Sequence, residues 1–220
     1  MRTVLDAVLA LLGSVLDALL PLRERTRRTR SLSVEDVPLS PTAHTLLGAH
    51  ITTLMQYEGA AADIIQSLKY DGSGHAARLC AAIIADYLHE ELASQKLFSQ
   101  KKVLLVPVPL HPSRQRERGF NQMESVLRAL PKGFCDGTIS SIQTRIIRRV
   151  RATRQQTRLS RNERLSNVAG AFDIANAEHV RGTSIYLIDD VITTGATLVN
   201  AATPLRRAGA HVTLVALARA

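Results

Sequence analysis

The chain has few aromatic residues and no tryptophan. Four tyrosines and four phenylalanines occur among its 220 residues. Proteins that bind single-stranded nucleic acid without sequence preference usually stack the bases on exposed aromatic rings, so a stacking platform of that kind is not expected. The formal net charge is nevertheless +9. Such a surplus is compatible with a polyanionic substrate, with nucleic acid or simply with a basic solvated surface.

Cysteine is also scarce. Cys80 and Cys135 are the two cysteines of the chain, and neither has a partner at CxxC spacing. A disulfide framework and a thiolate zinc site are therefore not predicted. Buried free thiols in a reducing compartment are expected instead, which points to a cytoplasmic protein.

No apolar run is long enough to cross a bilayer. Residues 4–22 are strongly apolar, but Asp6 and Asp17 leave ten uncharged positions between them, whereas a span needs about 20. The apolar residues recur at helical spacing, which predicts an amphipathic helix that docks on the protein or on a partner. Association with a membrane surface is the alternative. Five arginines, at positions 23, 25, 27, 28 and 30, follow this run, whereas a signal peptide carries its positive charge before it.

Apolar runs of strand length alternate with helical patterns along the rest of the chain. This alternation predicts an α/β fold with a parallel sheet flanked by helices. Residues 23–41 are arginine-rich and end with prolines, which is typical of a linker or extended arm. We therefore divide the chain into an N-terminal helix and basic arm (1–56) and a main domain (57–220). Helices are predicted at 57–70, 75–92, 119–130 and 196–208, and strands at 103–108, 146–147, 171–174, 185–188 and 212–217.

The most informative stretch is 185–198. A buried apolar strand (185–188) is followed by Asp189 and Asp190, and then by small residues that open a helix. Ligands of open α/β sheets lie beyond the carboxyl ends of the strands, and a helix N-terminus there favours an anion. The carboxylates would repel a phosphate but suit ribose hydroxyls or a divalent cation, so the stretch predicts a sugar-phosphate site. The residues expected to surround the phosphate are Thr193, Thr194, Gly195, Ala196 and Thr197.

Two alternatives apply to the acidic pair. Receiver domains also carry paired aspartates after an apolar strand, although a Thr-Thr-Gly-Ala-Thr run does not follow them there. Asp190 could also merely end a strand. With the site empty, we expect the Asp190 carboxylate to be solvated.

Two further segments carry basic residues. The strand at 103–108 leads into a proline-stiffened segment, which predicts an anion site because arginine forks match phosphate oxygens; a solvated basic loop is the alternative. Its candidate residues are Val108, Pro109, Leu110, His111 and Arg114. Residues 149–172 are polar between two short strands, as in a mobile hairpin that closes over an active site.

The stretch 185–198 closely resembles the phosphoribosyl pyrophosphate (PRPP) motif of type I phosphoribosyltransferases. Together with residues 68–70, 106–110, 118–122 and 153–172, it resembles the ComF family over about residues 57–220. The resemblance implies a type I phosphoribosyltransferase-like sheet, with Asp189 and Asp190 as the catalytic residues that hold the ribose. It also implies that Mg²⁺ accompanies PRPP next to this pair without direct protein ligation.

The resemblance assigns the other segments as well. Residues 193–197 would hold the 5′-phosphate, the segment after Val108 would be the pyrophosphate loop, and 149–167 would be the flexible catalytic loop. The flexible-loop candidates are Arg118, Arg151, Arg154, Gln156 and Arg164. Some ComF proteins are linked to natural competence, the uptake and processing of single-stranded DNA.

The N-terminus departs from the family pattern. Many relatives carry a four-cysteine zinc ribbon there, but residues 22–54 contain no cysteine. Four thiolates are what such a structural site needs, so we predict no bound zinc. Every ligand-binding candidate lies after Lys69, and we therefore expect deletion of residues 1–40 to leave PRPP affinity within a few-fold.

Two functions are compatible with these features. The first is transfer of ribose 5-phosphate from PRPP to an unidentified acceptor, with release of pyrophosphate. The second is a non-catalytic PRPP-binding or single-stranded-DNA-associated accessory protein of the competence machinery. The oligomeric state is open.

Overall fold

A six-stranded sheet with helices on both faces forms the centre of the molecule. The computed structural model describes residues 24–37, 39–96, 102–151, 170–175 and 177–220. The strands are β1 (Thr42–Leu46), β2 (Ala49–Gln56), β3 (Val103–Pro107), β4 (Ser141–Ile142), β5 (Ile147–Arg149), β6 (Phe172–Ile174), β7 (Ser184–Ile192) and β8 (His211–Arg219). The helices are α1 (Glu24–Arg30), α2 (Gly59–Asp71), α3 (Gly74–Lys96), α4 (Pro112–Arg118), α5 (Gln122–Arg128), α6 (Lys132–Cys135) and α7 (Ala196–Arg207).

The sheet order is β1-β2-β8-β7-β3-β4. Only β1 is antiparallel to its neighbour, and β5 and β6 form a separate antiparallel hairpin. The α/β fold with a mostly parallel sheet is thus confirmed. It follows from near-continuous apolar strands such as β3, because strands buried on both faces need apolar residues at every position.

Two apolar layers sandwich the sheet, and β7 contributes to both. Ile188 packs with α2, α3 and α5 on one face, whereas Leu187 packs with α7 and the β5–β6 hairpin on the other. Successive strand residues point to opposite faces. We call these the α5 face and the α7 face.

Several predicted boundaries differ from the observed elements. The strand predicted at 185–188 continues to Ile192, so both aspartates lie inside it. The helix predicted at 119–130 is the shorter α5, and α4 precedes it where a loop was expected. The two helices are separate because Gly119 ends α4 with φ +82°, a left-handed conformation that glycine adopts without steric cost.

The region before residue 57 is joined to the main domain. β2 pairs with β8, so residues 42–56 belong to the main sheet rather than to an arm. α1 packs on α2, where the Arg25 guanidinium forms two hydrogen bonds, of 2.9 and 3.0 Å, with the Asp71 carboxylate. Thr26 also donates to Asp71, and Val37 is buried in the core on the α5 face. The predicted helix at 4–22 lies outside the described residues.

These contacts change the expected result of an N-terminal truncation. Deleting residues 1–40 removes the buried Val37 and leaves Asp71 without Arg25, so we expect a loss on the order of 3 kcal/mol in the free energy of unfolding. Deleting only residues 1–23 removes none of these contacts and is the control. Chemical denaturation of both truncations measures the difference, and equal stability would show that α1 contributes nothing to the domain.

No helix within the described ranges is long and apolar enough to cross a membrane. Cys80 is a fully buried free thiol and Cys135 a half-buried one. Burial raises the pKa of Cys80 to about 12, so this thiol is unreactive at neutral pH because the thiolate is the reactive form.

Candidate functional site

The topology brings two of the predicted segments to the same edge of the sheet. β3 and β7 are parallel neighbours, with Pro107 opposite Ile188. The Val108 N–H donates a hydrogen bond of 2.9 Å to the Ile188 carbonyl, one residue before the acidic pair. The segment that starts at Val108 and the segment that starts at Thr193 therefore leave adjacent strands in the same direction.

The 193–197 segment forms a tight turn into α7. Gly195 precedes the first helical residue, Ala196, with φ +74°. A Cβ atom at Gly195 would lie 2.7 Å from Cδ1 of Ile51 and 3.3 Å from Leu46. Glycine is thus required both for the turn and for its packing against β1 and β2.

The helix start has no strong side-chain cap. Gly195 provides no capping side chain, and the Ala196 N–H reaches the Thr194 hydroxyl only at 3.4 Å. Thr193, Thr194 and Thr197 are half-buried. The first turn of α7 thus presents hydroxyls and backbone N–H groups at this edge, as a phosphate requires.

Asp190 lies on the α5 face and is almost fully buried, with 6% of its surface exposed. Its carboxylate forms an ion pair of 2.9 Å with Nζ of Lys69, from the last turn of α2. It also accepts hydrogen bonds from Nε2 of Gln122 and from the Val191 N–H. The expectation of a solvated Asp190 was wrong, because three donors from two helices and the strand itself already surround it.

Lys69 is correspondingly held in its charged form. Burial lowers the pKa of this amine, but the Asp190 charge and hydrogen bond outweigh burial, so the pKa is raised above its usual value. Lys69 and Asp190 therefore form a buried charged pair that joins α2 to the central strand.

Asp189 is the other carboxylate and lies on the opposite, α7 face. It is half-buried and accepts a hydrogen bond of 2.9 Å from the Asp190 N–H. Burial raises the pKa of Asp189 to about 7, and repulsion from Asp190 adds to this effect, whereas the hydrogen bond from the Asp190 N–H and the charges of Lys69 and Arg149 oppose it. The two aspartates therefore have different environments, and Asp189 is the more accessible one.

Arg149 supplies positive charge on the Asp189 side. It is the last residue of β5, and its guanidinium lies 5.3 Å from the centre of the Phe172 ring across the hairpin. Burial lowers the pKa of Arg149, Asp189 opposes this effect, and the positive charge of Arg114 reinforces it. Asp189 and Arg114 thus both act electrostatically on Arg149.

A second network leads from Asp190 to the surface. Nη1 of Arg118 donates a hydrogen bond of 2.7 Å to Gln122, which in turn donates to Asp190. The Arg118 guanidinium also lies 5.6 Å from the Tyr70 ring, whose centre is 5.4 Å from Arg25. Arg118 was grouped with the flexible loop, but it is the last residue of α4 and serves this network.

The predicted pyrophosphate segment is partly helical. Val108 is buried and its carbonyl accepts a hydrogen bond from Asn121, while Pro109 and Leu110 are half-buried. Nδ1 of His111 accepts from the Ser113 N–H at 3.2 Å and so caps α4. Arg114 is half-buried in the first turn of this helix.

The predicted lid is an antiparallel hairpin at its base. β5 and β6 pair in register, and the Val150 N–H donates to the Ala171 carbonyl at 2.9 Å. Arg151 is exposed just beyond β5. Arg154, Gln156 and Arg164 lie outside the described residues, and their assignments stay predictions.

Sequence reasoning did not assign a role to Lys69, Gln122 or Arg149. Lys69 and Gln122 each occur in a segment that carries the family resemblance, so a signal was present. Their convergence on Asp190 could not be predicted, because 121 positions separate Lys69 from Asp190 in the chain and 68 separate Gln122 from it.

No family model matches the chain. It is 30% identical to the DNA utilization protein YhgH of Escherichia coli K12 over 162 residues, which cover 73% of this chain and 67% of that protein. It is 29% identical to the competence protein ComFC of Streptococcus pneumoniae over 164 residues, covering 74% and 65% of the two chains. The competence protein F of Haemophilus influenzae is 34% identical over 118 residues, covering 53% and 50%.

The chain thus spans half of the Haemophilus protein and just under two thirds of the Streptococcus protein. Among solved structures, a hypoxanthine phosphoribosyltransferase from Staphylococcus aureus aligns over 60% of each chain at 14% identity. Its TM-score is 0.32, a likeness too weak to indicate an activity.

Proposed function

The chain belongs to the ComF family of competence proteins, and we propose that it is a phosphoribosyltransferase that transfers ribose 5-phosphate from PRPP to an acceptor and releases pyrophosphate. The observation that carries this proposal is the adjacency of β3 and β7. It supports a single ligand that spans the segment after Val108, the Asp189 carboxylate and the first turn of α7. PRPP has a diphosphate, a ribose and a 5′-phosphate in that order.

Each part of the edge suits one part of this ligand. The N–H groups and hydroxyls of residues 193–197 suit the 5′-phosphate. Asp189, the accessible carboxylate, suits the ribose hydroxyls, while Asp190 holds the strand in place through Lys69. Arg114 and Arg149 supply positive charge for the leaving pyrophosphate, where negative charge develops as the bond to the ribose C1 breaks.

Mg²⁺ would accompany PRPP and neutralise charge on its diphosphate. Mg²⁺ is commonly held by one or two carboxylates together with substrate phosphates, and Asp189 fits this role through water. In the described part of the chain, no group of three or more His, Cys, Asp or Glu residues could hold a metal alone. We therefore propose that metal and PRPP bind together. We also propose that the protein is cytoplasmic and carries no zinc.

Pyrophosphate release shows which base accepts the ribose 5-phosphate. The full chain is incubated with PRPP, Mg²⁺ and a panel of purine and pyrimidine bases, and turnover with one of them is the expected result. Calorimetry with PRPP, with and without a chelator, should give Mg²⁺-dependent binding. PRPP binding without turnover on any base would support the accessory role, whereas absence of PRPP binding would overturn the proposal.

A nucleic-acid role is the second candidate, since the chain carries a net charge of +9 and its relatives are named for competence and DNA utilization. Gel-shift titration with single-stranded DNA at several salt concentrations tests it. Binding through phosphate contacts should weaken steeply as salt rises. Binding that is absent at low salt would remove this candidate.

Thr194→Val tests the phosphate turn. The substitution replaces the hydroxyl by a methyl group of similar size, so a hydrogen bond to a charged ligand is lost, typically about 1.5–3 kcal/mol. We expect affinity for PRPP and for plain ribose 5-phosphate to fall at least roughly tenfold. The control is Thr203→Val, since Thr203 bonds the Val199 carbonyl later in the same helix. Equal affinities in both variants would contradict the assignment.

A further inference from the structure

An open cavity of about 450 Å³ lies beside the α2–α3 turn, on the α5 face of the molecule. This volume is within the range of small-molecule pockets, about 300–1,000 Å³. Leu68, Ala77, Ala129 and the Phe120 ring give it an apolar wall. Because the cavity is open to solvent, it could receive one side of a small organic ligand.

Its charged groups are all positive. Arg78 of α3 and Arg128 of α5 line the cavity, and no acidic residue does so among those that the structure describes. Both arginines are exposed, and neither forms an ion pair within the described ranges. Ser73 and Ser125 also line the cavity; the Ser73 hydroxyl accepts from the Ala76 N–H at 3.2 Å, and the Ser125 hydroxyl donates to the Asn121 carbonyl at 3.5 Å. Guanidinium groups with free donors next to hydroxyls are suited to a phosphate.

The backbone adds to this positive character. α3 is a 23-residue helix that begins at Gly74, which lines the cavity, and its first turn has no acidic residue. The N-terminus of a helix carries a partial positive charge and N–H groups without helical partners; here the Ser73 hydroxyl accepts from one of them, that of Ala76. The helix end thus reinforces the charge that Arg78 and Arg128 already place there.

We infer that this cavity is an accessory binding site for a small phosphorylated molecule with a flat or apolar body, of the class of nucleoside monophosphates. The phosphate lies between Arg78 and Arg128, and the body lies against Phe120 and the apolar wall. None of the residues at 108–114 or 193–197 lines this cavity. The inference is therefore independent of PRPP binding at the edge formed by β3 and β7.

Amide chemical shifts during a titration of the full chain locate the ligand. We expect adenosine monophosphate to shift the amides of Gly72, Gly74 and Ala129, and to bind more tightly than inorganic phosphate because only the nucleotide reaches the apolar wall. Shifts confined to residues 193–197 would overturn the inference. Equal affinity for phosphate and nucleotide would overturn the role of Phe120.

Two variants test the charges. Arg78→Gln with Arg128→Gln should weaken nucleotide binding at least tenfold. Arg181→Gln with Arg207→Gln removes the same charge at exposed positions outside the cavity and should leave affinity within twofold. If the two double variants lose affinity equally, general charge attraction explains the binding and the site is refuted.

Gly74→Asp separates binding from folding. An added Cβ at Gly74 would meet only the end of the Arg78 side chain, at 3.7 Å, and a carboxylate at a helix N-terminus favours the helix. We therefore expect the melting temperature to stay the same or rise while nucleotide affinity falls at least tenfold. Unchanged affinity in this variant would overturn the site.

Discussion

Asp190→Asn should destabilise the fold strongly even though it preserves shape and volume. The substitution leaves the Lys69 ammonium buried without its counter-charge, whereas the wild-type pair lies 2.9 Å apart with side chains 19% and 8% exposed. Breaking such a pair by removing one partner typically costs about 3–5 kcal/mol. For a chain of this length, we expect the melting temperature to fall on the order of ten degrees.

The stabilities of the wild type and of Asp190→Asn should change in opposite directions as pH rises. In the wild type the pKa of Lys69 is raised above its ordinary value of 10.5, so the stabilisation by the pair is complete below that value and is lost as pH rises through the pKa of the folded state. In Asp190→Asn, burial acts on Lys69 with less opposition and lowers its pKa below that of the unfolded chain. The free energy of unfolding of the variant should therefore rise with pH in the alkaline range. The difference in stability between the variant and the wild type should become smaller there.

Matched variants distinguish this mechanism from a general loss of charge. Asp63→Asn breaks an ion pair with Arg28, whose side chain is 57% exposed, and exposed pairs contribute little. Its melting temperature should hardly change. Adding Lys69→Met to Asp190→Asn removes the uncompensated ammonium and should restore part of the stability. A double variant that is less stable than Asp190→Asn alone would contradict the buried-pair mechanism.

The sheet could be predicted because its signals are local. Val103 to Pro107 and Ile185 to Ile188 are apolar at every position, which indicates strands buried on both faces whatever their neighbours are. β1 and β2 were missed because polar residues interrupt their apolar pattern; in β2 these are His50, Thr52 and Thr53. β1 lies at the sheet edge with half-buried and exposed residues in alternation, and Leu46 is its only large apolar residue.

The acidic pair illustrates what could not be predicted. From the sequence, two adjacent aspartates at a strand end are expected to share one function. The strand continues through both, however, and directs their side chains to opposite faces of the sheet. Lys69 and Gln122 reach Asp190 only once α2 and α5 have packed on the sheet. The difference between the two carboxylates is therefore a property of the tertiary structure. The requirement for glycine at position 195 is also a property of the tertiary structure, since it depends on contact with Ile51 of β2 as well as on the φ angle of Gly195.

Asp189→Asn should have the opposite effect on stability from Asp190→Asn, because ionisation of the Asp189 carboxylate destabilises the folded state. The pKa of Asp189 is raised from 3.8 to about 7, so the folded state holds a proton that the unfolded chain has lost. Stability due to this group therefore falls as pH rises from 4 to 7 and stays reduced above pH 7. The asparagine removes this cost and can still accept the Asp190 N–H bond. We expect a higher melting temperature at pH 8 and no gain at pH 4.

The same substitution should impair the ligand site. If Asp189 accepts hydrogen bonds from the ribose, its neutral replacement loses a charge-assisted bond of about 1.5–3 kcal/mol, or roughly ten- to a hundred-fold in PRPP affinity. Asp86→Asn, on the exposed side of α3, is the control and should change neither property. Calorimetry with PRPP and thermal melts at both pH values provide the two measurements. If the Asp189→Asn variant is more stable and binds PRPP as tightly as the wild type, the unfavourably ionised Asp189 carboxylate does not hold the ribose.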